Sequence, residues 1–310
     1  IHPRSMKKKI LFYILCIIFI FPGPARCEEY LRRGLFVTMA LEEPPVLSSL
    51  NEVDKLIAFA KKAHIKTIFV QIYRANRAWF PSKIADPGPY EAGLKNFSVD
   101  VFAFLIKKAH GSGIRVHAWL NMLSLSDNED ARLLKKYGTG ILTKNLKKKV
   151  TIKDYKIDGQ YFLEPGDTRI REDLMNIVGE ILCAYPDLDG VQFDYIRYPD
   201  KDPAYGYTQI NTQRFKKETG IETIEENSQS WKDWKRAQVT GFLELLVKKT
   251  RSLRPDIQIS VTGCMPYSRA YYEAFQDWPS WLRRGLVDFV TIMSYSPNPR
   301  EFKEWISNIK

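Results

Sequence analysis

Cysteine and histidine are scarce and poorly spaced for chemistry. The four cysteines, Cys16, Cys27, Cys183 and Cys264, contain no C-x-x-C pair and make no disulfide framework. The four histidines, His2, His64, His110 and His117, contain no H-x-H or H-x-x-x-H pair. A histidine-built metal site is therefore not expected, and neither is a cofactor. Low-complexity tracts are missing too, and a chain that is 45% hydrophobic and 13% aromatic is not disordered. Acidic residues are absent from positions 1–27, where Arg4, Lys7, Lys8, Lys9 and Arg26 stand. The remainder is only mildly basic, which is weak ground for a nucleic-acid partner, and none is expected.

Long hydrophobic runs are also lacking, with one exception. Ile10 to Phe21 is apolar throughout but too short to span a bilayer. Behind Met6-Lys7-Lys8-Lys9, and broken by Pro22-Gly23-Pro24, it reads as the core of a signal peptide with cleavage after Cys27. Residues 1–27 are thus expected to be upstream residues plus a signal peptide, and 28–310 one exported domain, periplasmic or extracellular, with no transmembrane span. Lipid anchoring through Cys27 is the alternative, but Arg26 stands where a small residue is expected. Oligomeric state is not legible.

What is present is alternation. Strand candidates fall at 34–39, 66–73, 115–121, 161–164, 190–195, 256–262 and 288–295. Helix candidates fall near 49–63, 98–110, 168–185, 208–219, 229–253, 278–284 and 299–309, with Ser98 as the expected N-cap of the second. Such repeats in one direction predict an α/β fold, a (β/α)8 TIM barrel truncated before its eighth strand, with an open doubly wound sheet as the alternative.

Strand phase then sorts the side chains. If Val191 and Phe193 face the helix layer, Gln192 and Asp194 point inward. The same logic puts Phe69, Gln71 and Tyr73 inside, with His117, Trp119 and Asn121, Glu164, Ser260 and Thr262, and Tyr295. The inward set turns polar at the C-terminal ends of the strands, where barrels build active sites. Long loops at that end carry aromatics, among them Trp79 and Tyr198, suited to stacking on sugar rings. Lys144 to Lys156 holds six lysines, which suits an anionic polymer unless it is simply a solvated face.

Asp194-Tyr195-Ile196-Arg197-Tyr198-Pro199 is the most informative segment. It sets a carboxylate at a strand end with an arginine three residues on, read as the partner that keeps Asp194 ionised. Glu164, before Pro165-Gly166, is a second strand-end carboxylate. Glycoside hydrolysis uses two carboxyl groups, one protonated and one ionised, and Glu164 and Asp194 on adjacent strands are the candidates.

The chain resembles the glycosyl hydrolase-like family 10, exported barrel proteins distinct from the family 10 xylanases. The carriers are Arg33-Gly34, Phe69 to Arg74 with Ala78 to Ser82, His117 to Asn121, Asp189 to Pro199, Gln276-Asp277-Trp278, Trp281-Leu282, Gly285 to Asp288, and Met293-Ser294-Tyr295. The resemblance implies a glycosidase acting on polysaccharide, with peptidoglycan glycan strands as the expected substrate. Asp194 and Glu164 would be catalytic. Gln71, Tyr73, Trp79, His117, Trp119, Asn121, Gln192, Arg197, Tyr198 and Tyr295 would bind substrate. The family usually carries Asn, Asp or Ser where this chain has Glu164. A non-catalytic carbohydrate-binding barrel is the alternative function. An envelope scaffold and a phosphate-dependent barrel enzyme are further ones.

Overall fold

The computed structural model describes residues 33–39, 45–226 and 228–307. The expected signal peptide and Cys27 lie outside the described residues. Six strands form one parallel sheet in the order β1 (Gly34–Val37), β2 (Thr67–Arg74), β4 (Arg115–Asn121), β7 (Gly190–Asp194), β8 (Gln258–Cys264) and β9 (Phe289–Met293). The short β3 (Arg77–Ala78) folds back antiparallel on β2.

The crossovers are helical: α1 (Leu50–Lys62), α2 (Gly88–Phe97) with α3 (Val101–His110), α5 (Thr168–Ala184), α6 (Gln209–Thr219) with α7 (Gln229–Leu253), and α8 (Tyr267–Tyr272) with α9 (Trp278–Arg283). A last helix, α10 (Pro299–Ser307), follows β9, and α4 (Arg132–Tyr137) lies in the insertion after β4. Side-chain caps start several of these helices. The Ser49 hydroxyl accepts from the Glu52 N–H to open α1, and Asp100 accepts from Ala103 to open α3. Ser98 is therefore not the N-cap expected of it; at φ 56° it closes α2, a helix hidden from the sequence reading inside a proline-rich stretch.

Curvature is visible in side chains. β2 and β9 are four strands apart, about 19 Å in a flat sheet. Yet the rings of Phe69 and Phe289 lie 6.2 Å apart, and His117 lies 6.0 Å from Phe289. The sheet curls around an interior floored by these rings, with Phe36 stacked on Phe69 at 4.5 Å. On the outer side, Ile68, Val70, Val116, Ala118, Leu120, Val191, Phe193, Ile259 and Val261 join one apolar core with the helices. The alternation read from the sequence thus holds along most of the sheet.

Two expectations fail. The run at 161–164 is not a barrel strand: β6 (Tyr161–Phe162) pairs antiparallel with β5 (Ser124–Ser126) in a separate hairpin. β4 and β7 pair directly in its place, so six parallel strands, not seven, are present among the described residues. The second failure is at Tyr73. Register slips between Gln71 and Tyr73, and the slip turns Tyr73 out of phase into the apolar core.

Gly190 answers a specific demand. A Cβ there would lie 2.3 Å from the His117 imidazole of the neighbouring strand. Only glycine leaves room for that ring.

Candidate active site at the C-terminal end of the sheet

Asp194 ends β7 and is 4% exposed. Three donors from three segments converge on its carboxylate. Trp119 Nε1 reaches Oδ2 at 3.0 Å, while Thr262 Oγ1 and the Tyr195 backbone N–H reach Oδ1 at 2.5 and 2.7 Å. Tyr195 sits at φ 55°, a left-handed turn that folds its N–H back toward the preceding side chain. Such a ring of donors suits a carboxylate that only accepts.

The polar layer continues sideways. Gln71 Nε2 donates to Asn121 Oδ1 at 3.3 Å, and Gln71 Oε1 accepts from Thr38 Oγ1 at 2.9 Å and Met39 N at 3.2 Å. Below it, Gln192 Oε1 accepts from Ser260 Oγ at 2.5 Å. Tyr295 is exposed beyond the end of β9. Desolvation first, and the Asp194 carboxylate second, hold its phenol above the ordinary value. Gln71, Trp119, Asn121, Gln192, Asp194 and Tyr295 are therefore gathered at one end of the sheet, as strand phase predicts.

The other candidates go elsewhere. Glu164 is fully buried in a second polar cluster. Its Oε1 accepts from Tyr198 Oη at 2.5 Å, and its Oε2 from Thr208 Oγ1 at 3.3 Å. Burial pushes its carboxyl above the ordinary value, and the donors pull it partly back. Tyr198, itself buried, also accepts from Asn211 Nδ2 at 3.1 Å. Glu164 and Tyr198 thus hold the loop after β7 to the turn after β6, and neither opens toward a polymer. Arg197 does not pair with Asp194. Its guanidinium bridges to Asp200 at 3.1 Å and lies 4.6 Å from the centre of the Tyr195 ring.

His117 belongs to the interior floor, 4.9 Å from Phe69, where burial drives its pKa down to about 4. Tyr73 is buried and its hydroxyl accepts from Asn76 Nδ2 at 3.3 Å. Trp79 sits in a small cleft with Leu47, Tyr90 and Phe102, against α2 and α3. These three leave the mouth because two face other layers and one follows the register slip.

Two participants, and a buried lysine outside the site, escape the sequence reading. Phase alone puts Thr262 inward without marking it as a direct partner of Asp194. Gln276 fixes that threonine: its Nε2 donates to Thr262 O at 3.1 Å and Ile196 O at 3.3 Å, while Oε1 accepts from Cys264 N at 2.9 Å. Lys235 on α7 is buried in a cage of rings, with Phe275 at 4.0 Å, and donates to the carbonyls of Pro203 and Tyr205 at 2.7 and 2.8 Å. Burial lowers its pKa to about 7. No local sequence pattern signals it.

Among the described residues no group of three or more His, Cys, Asp and Glu could hold a metal ion. No helix there is long and apolar enough to cross a membrane.

A family model for Glycosyl hydrolase-like 10 matches residues 33–308. Glycosyl hydrolase DigH of Escherichia coli K12 is 25% identical over 313 residues, covering 90% of this chain and 69% of that protein. The crystal structure of β-galactosidase from the psychrophilic Marinomonas ef1 superposes with a TM-score of 0.56 at 12% identity, over 85% of this chain and 41% of that one. The catalytic domain of β-amylase from Paenibacillus polymyxa gives 0.54 at 11% identity, over 87% and 79%. At these identities the two structures speak to the fold alone.

Proposed function

The chain belongs to the glycosyl hydrolase-like 10 family, and on that premise we propose that it is an exported enzyme hydrolysing glycosidic bonds of a polysaccharide, peptidoglycan glycan strands being the substrate in view. The observation that carries this reading is the carboxylate of Asp194, held by Trp119, Thr262 and the Tyr195 N–H at the C-terminal end of a curled parallel sheet. An ionised carboxylate so placed stabilises the positive charge that develops at the sugar carbon, or attacks it, or activates a water. Trp119 offers a face for a pyranose ring, and Asn121, Gln71 and Tyr295 offer partners for hydroxyls. Proton donation to the leaving oxygen is not assigned to Glu164, whose carboxyl is enclosed by Tyr198 and Thr208. In keeping with export, the segment from Met6 to Cys27 would be removed on secretion.

The test is release of soluble fragments from purified peptidoglycan and from peptide-free glycan strands. Asp194→Asn lowers release at least ~100-fold, the low end of an acid–base contribution, while the fold survives. Equal release by the variant removes Asp194 from the chemistry. One observation favours a second reading, a carbohydrate-binding barrel: the enclosure of Glu164 leaves the expected acid out of reach of a glycan. That reading predicts wild-type protein that retains glycan and releases nothing.

A further inference from the structure

The insertion after β4 and the loop after β7 meet in a groove that the catalytic proposal leaves unused. It encloses about 600 Å³ and is lined by Tyr137, Lys144, Tyr155, Arg169, Gln209 and Gln213, among others. That volume is within the range of small-ligand sites. Backbone bonds set its two sides: the N–H groups of Gly206 and Tyr207 both donate to Lys144 O, at 3.0 and 2.9 Å. Asp194 is not part of the lining.

The chemistry of the walls is one-sided. No carboxylate lines the groove. The nearby Asp167 grips Arg169 at 2.6 Å, and that guanidinium lies 5.1 Å from the centre of the Tyr137 ring, which fixes its position. Lys144 makes no ion pair among the described residues. The exposed Lys147 and Lys148 follow it in the chain, so the lysine-rich run of the sequence opens at this groove. Tyrosine faces suit the C–H faces of pyranose rings, glutamine amides suit hydroxyls, and a free ammonium suits an acid group.

We propose that this groove is a subsite for acid-bearing polysaccharide, separate from the catalytic mouth. The proposal rests on the polysaccharide reading above and adds a substrate class to it: glycan with carboxylate substituents. Binding at Lys144 and Tyr155 would anchor a charged segment on the face that also carries Asp194.

Calorimetry with polygalacturonate oligomers as the probe tests the proposal, using the purified protein and its Asp194→Asn variant. Both are expected to bind alike, and Lys144→Gln and Tyr155→Ala each to weaken binding about tenfold. Carboxyl-reduced oligomers are expected to bind at least about tenfold less tightly than the acid form. The proposal is overturned by a lack of binding, by equal binding of the reduced oligomers, or by unchanged binding in both groove variants. It is also overturned if inorganic polyphosphate competes equally well and Tyr155→Ala leaves polygalacturonate binding intact, because bare charge would then explain retention. Cleavage is read separately: a protein that binds at the groove but never cleaves refutes the catalytic reading and leaves the subsite standing.

Discussion

Tyr198 Oη donates to Glu164 Oε1 at 2.5 Å, and neither side chain has contact with solvent beyond 1%. The bond ties the loop after β7 to the turn that begins α5. It gives an acidic residue at a strand end a structural occupation.

Glu164→Gln should therefore keep glycan release within about threefold of wild type, as substitutions away from reacting atoms do. Tyr198→Phe should cost about 1–3 kcal/mol of stability, because a buried carboxyl loses a donor. Urea melts and release assays on both variants check this. A Glu164→Gln protein with normal stability and a hundredfold loss of release would return Glu164 to the chemistry.

Thr262→Val removes one donor from Asp194 and little volume. A hydrogen bond to a charged group contributes about 1.5–3 kcal/mol, so kcat should fall about tenfold or more. KM should barely change, while stability should fall by about 1–3 kcal/mol because a buried carboxylate loses a donor. Steady-state kinetics on glycan strands separate the two parameters, and a pure KM effect would make Thr262 a substrate contact instead.

His117 gives an acid-side signature. Burial depresses its folded pKa to about 4, below the ordinary 6.5. Its contribution to stability is complete above pH 6.5 and is lost as pH falls toward 4, because the unfolded chain takes up the proton first. Wild type should lose more stability between pH 7 and 4.5 than His117→Phe does. Identical pH slopes in denaturant titrations would contradict the buried neutral imidazole.

Lys235 gives the alkaline counterpart. Its folded pKa of about 7 lies below the ordinary 10.5. The contribution is complete above pH 10.5 and declines as pH falls toward 7, again because the unfolded chain binds the proton more readily. Lys235→Met should flatten the rise in stability over that window. Denaturant midpoints at pH 7.5 and 9.5 for both proteins decide it.

Strand phase was legible wherever alternation ran unbroken. Val191 and Phe193 outward against Gln192 and Asp194 inward needed no tertiary information. Tyr73 departs from phase at a register slip that nothing in Gln71-Ile72-Tyr73 announces. The 161–164 run departs because a short apolar run fits a hairpin with Ser124–Ser126 as well as a barrel strand. Arg197 could pair with either Asp194 or Asp200, and only the loop conformation chooses Asp200. Glu164 followed from the misplaced strand. Sequence thus reached the positions on regular strands and missed those set by loops.

The contact between Gly190 and His117 couples the histories of two positions on neighbouring strands. Any side chain at 190 would strike the imidazole, at 2.3 Å from its nearest atoms. Position 190 can accept a Cβ only after 117 has given up its ring, so one order of substitution is open and the other is closed. Gly190→Ala should be tolerated in a His117→Ala background and costly alone. Such a pair drifts together among descendants, and would show as paired change at two positions that take no part in holding Asp194.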